Sequence, residues 1–188
     1  TRAGSGLDDD LEPVHLPVPG DPVHRDGDLE HLVTGRGNAL RRCLLGQVED
    51  PRNLGACLRS ADAAGADAVV VPKARAAGLT DAALKASAGA AESVPLIAVP
   101  NLARCLRWLR DAGVRLVGTD ESGERTLFEA DLRSPVAIVL GAEGRGLRRL
   151  SRETCDELVR IPMQGSVESL NVSVAAGIVL FEAVRQSD

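Results

Sequence analysis

The chain has 188 residues, a formal net charge of −5 and an apolar fraction of 44%, enough material for one domain with its own core. No run approaches the roughly 18 consecutive apolar residues of a membrane span, and no secretory signal is recognisable, so a cytoplasmic protein without a membrane partner is expected. With no Tyr, one Trp and two Phe, the core must be built from Ala, Val, Leu and Ile. The four cysteines contain no C-x-x-C pair and the three histidines have no ligand spacing, which points to reduced thiols and to no metal site.

Residues 1–31 hold eight acidic groups against Arg2 and Arg25, whereas the remainder carries 19 acidic and 20 basic groups. The acidic balance therefore belongs to the first part of the chain. Residues 1–40, rich in Pro and Gly and without apolar period, read as a leader or linker. The catalytic unit is expected over 41–188.

From residue 41 onward, short apolar runs alternate with helical segments. Strands are predicted at 43–48, 67–72, 94–99, 114–119, 136–141 and 157–162. Helices are predicted near 53–65, 79–91, 101–112 and 147–154, followed by a long one after 171. Continuous apolar strands are covered on both faces, and strand–helix alternation implies a mostly parallel α/β sheet. Ligands bind beyond the C-terminal ends of such strands.

Three polar clusters follow strands. The first is "EDPRNLGACLRSADAAG", 49–65, in which Pro51 and Asn53 suit a helix start, Gly55 permits close approach by backbone or ligand, and Arg59 stands in a small, apolar helix. The second is "VLGAEGRGL", 139–147, where Gly141, Gly144 and Gly146 would offer bare amides around Glu143. Neither the phosphate-loop pattern nor the G-x-G-x-x-G dinucleotide fingerprint is present, which disfavours a nicotinamide enzyme. The third is "VRIPMQGSVESLNVSVAAGIVLFEAVRQ", 159–186, where Ser169 or Asn171 caps a helix apolar round most of its circumference.

Together the clusters resemble the SpoU branch of the SPOUT methyltransferases. Motif one of that family, N-x-G-x-x-x-R, is matched by Asn53 to Arg59. Motif two is matched by Gly141-Ala142-Glu143-Gly144, and motif three by Ile161-Pro162-Met163 with Ser169 to Ala175. The linking text most resembles the RlmB type, which methylates a guanosine 2′-hydroxyl in large-subunit ribosomal RNA; the TrmH-type transfer RNA enzymes share the motifs.

The resemblance implies a SPOUT fold with a C-terminal trefoil knot, a feature that general topology rules make rare. It implies S-adenosylmethionine as cofactor, held by backbone around Leu140, Gly141, Ile161, Met163 and Leu170, with Thr119 nearby. It implies RNA as substrate and a homodimer packed through the helix after Asn171. Arg59 is the implied catalytic arginine, with Glu143, Asn53, Asn171 and Ser169 around it.

A ribose hydroxyl is a poor nucleophile, so it must be oriented and partly relieved of its proton. Arg59 can hold a phosphate or a developing alkoxide, but its guanidinium resists acting as a base. RlmB-type members carry a separate N-terminal RNA-binding domain, which the acidic leader does not resemble. Weak RNA binding is therefore expected, through Arg36, Arg41, Arg42, Arg52, Lys73, Arg75, Arg145, Arg148 and Arg149. The competing readings are a non-catalytic RNA-binding factor on the same scaffold and an unrelated nucleotide-dependent α/β enzyme.

Overall fold

The computed structural model describes Val33 and residues 40–74, 78–142 and 144–187. The leader apart from Val33 and Leu40, and with it Arg36, therefore lies outside the described residues, as do Arg75 and Glu143. The strands are β1 (Arg42–Gly46), β2 (Ala68–Pro72), β3 (Leu96–Val99), β4 (Arg115–Thr119), β5 (Arg125–Thr126), β6 (Val136–Leu140) and β7 (Glu157–Arg160). The helices are α1 (Pro51–Ala63), α2 (Asp81–Ser87), α3 (Ala90–Ser93), α4 (Leu102–Asp111), α5 (Arg149–Thr154) and α6 (Val172–Arg185), with one 3₁₀ turn at Leu127–Glu129.

The strands form one sheet in the order β3-β2-β1-β6-β4-β7-β5, and every strand pairing is parallel. The expected α/β architecture is thus present. The two-residue β5 is an addition, since so short a strand leaves no period to read. The predicted helix 79–91 is two helices, because Ala88 and Gly89 turn left-handed at φ 50° and 93° and end the first after Ser87.

Strand side chains divide by parity between two cores. Leu44, Val69, Val71, Ile138 and Leu140 face α1, α3 and α6. Cys43, Leu45, Val70, Ala137 and Val139 face α4 and the chain around Leu147. All the largest fully buried side chains are Leu or Ile, as the lack of aromatics requires.

Helix starts are set by side chains. Asp50 caps α1 by accepting from the Arg52 and Asn53 amides at 2.8 and 3.0 Å, with Pro51 in the first turn. This corrects the expectation that Asn53 helps to start the helix: Asp50 is the cap, and Asn53 lies three residues beyond it in the first turn, its side chain bonded to Asn171. α1 also lies close against α2. A Cβ on Gly55 would stand 2.7 Å from the Ala86 Cβ and 3.0 Å from the Ser87 nitrogen, with the Ala83 carbonyl oxygen closer still. Gly55 is therefore a helix-packing residue.

Strand order decides where ligands can approach. β6 lies between β1 and β4, in register with both, pairing Gly46 and Thr119 with Leu140. β4 also pairs Thr119 with Val159 of β7. The C-terminal ends of β1, β6, β4 and β7 are therefore neighbours.

Candidate active site

Asn171 carries two interactions at the start of α6. Its Oδ1 accepts from the Ser173 amide at 2.9 Å and the Ser173 hydroxyl at 2.6 Å, which makes it the cap. Its Nδ2 donates to Asn53 Oδ1 at 3.0 Å, tying α6 to the first turn of α1. This bond spans 118 residues and joins the first and third clusters.

Around the pair lies a small cleft of about 110 Å³, lined by Gln47, Glu49, Asn53, Ala142, Arg145 and Val172, with Val48 beneath. It draws on the chain after β1, the start of α1, the loop after β6 and the start of α6. Its volume is well below the ~300 Å³ at which pockets begin to enclose whole small molecules. A fragment such as a ribose fits that space better than a complete nucleotide does. Gln47, Glu49 and Arg145 were not singled out from sequence as active-site residues, although Gln47 lies at the end of a predicted strand and Glu49 and Arg145 follow one, where parallel sheets place ligands.

Arg59 is exposed and does not line this cleft. It lies six residues beyond Asn53, about 9 Å along the helix, on a stripe with Arg52 one heptad away. Among the described residues its guanidinium has no hydrogen bond or ion pair. Ser169 is exposed in the loop two residues before the cap. Arg42, expected on the RNA-facing surface, is instead buried at 6% exposure and donates to the Ala64 carbonyl at 2.9 Å; it braces the start of β1.

Of the residues proposed for the cofactor, Leu140 and Thr119 are ladder partners on β6 and β4, and Ile161 directly follows β7, which pairs with β4. Leu140 ends β6 with its side chain in the core; Gly141 follows it. Thr119 sits beside Leu140 across the ladder, its hydroxyl 3.4 Å from the Val139 carbonyl. Ile161, Met163 and Leu170 are all half-buried, apolar but accessible. Among the described residues, no backbone hydrogen bond engages Met163 or Leu170. Half-buried apolar side chains beside unpaired backbone groups suit an adenosine, which needs flat apolar contact and edge hydrogen bonds.

Of the three glycine amides expected to be bare, that of Gly146 is bonded within the loop. Ala142 and Gly146 exchange backbone hydrogen bonds at 3.1 and 3.0 Å, and the Arg145 amide reaches the Ala142 carbonyl at 3.2 Å. A Cβ on Gly141 would stand 2.6 Å from the Leu147 nitrogen and 2.7 Å from the Gly146 Cα. Gly144 and Gly146 adopt φ of 69° and 61°. These glycines let the loop fold on itself.

Asp120, directly after β4, ties the end of that strand to Ser122 and to Arg152 of α5, beside the glycine loop. Its side chain, 2% exposed, accepts from the Ser122 hydroxyl at 2.6 Å, the Ser122 amide at 3.0 Å and Arg152 at 2.8 Å. Burial alone would raise its pKa; the Ser122 bonds, the Arg152 charge and the Leu147 amide outweigh it and hold the carboxyl below its ordinary value. Sequence reasoning missed Asp120, although its place directly after a strand was a usable signal.

No cysteine is a candidate nucleophile. None of the four is in a disulfide; burial, reinforced by Cys105 and Asp67, pushes the Cys43 thiol well up. Burial likewise pushes Cys155 up to about 12, with Asp156 and Asp120 adding to it. Among the described residues, no group of three or more His, Cys, Asp or Glu could hold a metal, and no helix is long and apolar enough to cross a membrane.

The site geometry can be set beside known proteins. The 23S rRNA (guanosine-2′-O-)-methyltransferase RlmB of Photobacterium profundum is 59% identical over 159 residues, covering 85% of this chain and 64% of that protein. The RlmB of Escherichia coli K12 is 55% identical over 163 residues, covering 87% and 67%. The chain thus spans about two thirds of the length of these relatives, and slightly less for the first. Among solved structures, the SpoU methyltransferase AviRb from Streptomyces viridochromogenes, in complex with AdoMet, matches with a TM-score of 0.70 and 39% identity over 77% of this chain and 57% of that one. The A. aeolicus TrmH/SpoU tRNA modifying enzyme matches with a TM-score of 0.70 and 31% identity over 77% and 73%. The SpoU rRNA methylase family model matches residues 41–181, a span that contains all three motifs, and the chain belongs to that family.

Proposed function

We propose that this chain is the catalytic part of an S-adenosylmethionine-dependent RNA ribose 2′-O-methyltransferase acting on a guanosine of 23S ribosomal RNA. The observation that carries the proposal is the Asn171–Asn53 bond at a cleft built from all three motif segments. The names of the RlmB relatives support the substrate, and the half-buried Ile161, Met163 and Leu170 support the cofactor. S-adenosylmethionine would supply an electrophilic methyl group when bound by the backbone of Gly141, Ile161, Met163 and Leu170, beside Leu140 and Thr119.

The chain's own residues do the rest. Asn53 and Asn171 hold each other's amides in fixed orientation, a rigid polar edge against which a ribose can be aligned. Arg59, permanently charged and exposed on α1, holds an RNA phosphate or the developing alkoxide. Glu143 and Ser169 complete the polar surround. As the new O–C bond forms and the methyl group's bond to sulfur breaks, the hydroxyl proton leaves to solvent water, so no protein base is required if the developing alkoxide is stabilised.

Residues 41–188 constitute the catalytic domain, with the trefoil knot that family membership implies, and 1–40 its leader. The protein acts in the cytoplasm as a homodimer. Val174 and Phe181, seven residues apart on one face of α6 and 50% and 51% exposed, support that assembly; a monomer in sedimentation equilibrium overturns it.

The functional test uses labelled cofactor with unmodified ribosomal and transfer RNA. Methyl transfer to 23S RNA is expected, and Arg59→Ala should abolish it while leaving the fold and cofactor binding intact. Transfer at the normal rate by that variant, or to transfer RNA alone, refutes the assignment.

A further inference from the structure

A second cleft, of about 490 Å³, opens beyond the C-terminal ends of β1, β2 and β3. Its walls include Gln47, Pro72, Pro100, Leu102, Arg148 and Arg149. None of the cofactor residues at β6, β4 and β7 lines it. Gln47 lines both this cleft and the small one at Asn53, so the two are neighbours along the C-terminal edge of the sheet.

We infer that this cleft binds an unpaired nucleotide of the RNA next to the one being methylated, with its phosphate on Arg148 and Arg149. The inference rests on the RNA-methylating reading above. Three observations carry it. The volume lies in the ~300–1,000 Å³ range of pockets that enclose small molecules. The only charged groups among its lining residues are the two arginines, both exposed; Arg149 is held only by a 3.4 Å ion pair to Glu153. Its other walls are mainly apolar, with the polar Gln47, Asn101 and Ser151 among them, and Leu150 of the same cleft is 52% exposed.

Cationic rim and apolar floor match the two halves of a nucleotide. Single-stranded RNA is recognised through splayed-out bases packed on side-chain surfaces, its phosphates held by cations. Here prolines and leucines provide that surface in a chain with almost no aromatics.

The test compares the wild-type chain with Arg148→Ala/Arg149→Ala by fluorescence anisotropy, using an end-labelled single-stranded oligoribonucleotide over a range of salt. Both side chains are exposed, so the fold should survive; circular dichroism checks it. The variant should bind roughly tenfold more weakly at low salt. The slope of log affinity against log salt should fall by about 1.4, two phosphate contacts at ~0.7 each. Unchanged affinity and slope overturn the inference, as does undetectable binding by the wild type. Loss of S-adenosylmethionine binding with RNA binding intact also overturns it, since the cleft would then hold cofactor. Methyl transfer is measured separately: wild type that binds RNA through these arginines but transfers no methyl group refutes the enzymatic reading and leaves the cleft assignment standing.

Discussion

Gly55 offers a sharp test of how the site is supported, because helix propensity and packing predict opposite signs. In an exposed helix interior, Gly→Ala stabilises by about 1 kcal/mol. At Gly55 the new methyl would lie 2.7 Å from the Ala86 Cβ, against a comfortable separation of ~3.5 Å, so α1 and α2 must part by about 0.8 Å. Backbone of α2 is the worst obstacle, so no side-chain rotation relieves it, and overpacking of this kind costs about 3 kcal/mol at the upper end of its usual range. The net expectation for Gly55→Ala is a loss of about 2 kcal/mol, read as a lower urea midpoint with unchanged slope. Ala86→Gly should restore only part of it, because the Ala83 carbonyl remains. The control is Gly177→Ala on α6, where the nearest neighbour, Ser60 Oγ, would be at 3.6 Å, an ordinary contact; that variant should be neutral or more stable by up to ~1 kcal/mol. A Gly55→Ala protein as stable as wild type would refute the packing argument. Since α1 carries Asn53 and Arg59, methyl transfer should fall with the displaced helix.

Two further predictions concern the site's supports. Asn171→Ala should cost about 1 kcal/mol through loss of the cap and should also lose activity. Asn171→Asp, which keeps an acceptor for Ser173 but has no amide donor for Asn53, should recover the stability and not the activity; full activity in Asn171→Asp removes the role given to that bond. Asp120→Asn should loosen the glycine loop and weaken S-adenosylmethionine binding in calorimetry, while distant helices keep their amide-exchange protection; unchanged affinity refutes the clamp. Because the Asp120 carboxyl titrates below its ordinary value, its contribution is fully present above about pH 4 and fades as pH falls through the lowered value. The stability gap between wild type and Asp120→Asn should therefore close toward acid, and a constant gap would contradict the sign.

Much of the fold was legible because it rests on local patterns. Six of the seven strands are apolar runs that alternate with helices, and a parallel sheet covered on both faces is the arrangement that buries such runs. The cap at Asn171 was legible as one of two candidates, since a polar residue directly before an apolar helix must satisfy free amides. The cap of α1 was misread: Asp50, Pro51 and Asn53 all suit a helix start, and only the geometry shows Asp50 accepting the amides and Asn53 turned toward α6. The roles of the glycines were equally hidden. Whether a missing Cβ makes room for a ligand, for its own loop or for a neighbouring helix depends on what stands opposite.

What the sequence by itself determined is the set of elements, the Leu- and Ile-filled core and the three polar clusters that mark the family, because each follows from residue type and near-neighbour spacing. Only the tertiary structure decided that β6 inserts between β1 and β4. That placement brings Asn53 and Asn171, separated by 118 residues, within hydrogen-bond distance, leaves Arg59 outside their cleft and opens a second cleft beneath Arg148 and Arg149. Strand order is set by which buried faces fit together across long loops. That fit is a property of the whole packed sheet and not of any one segment.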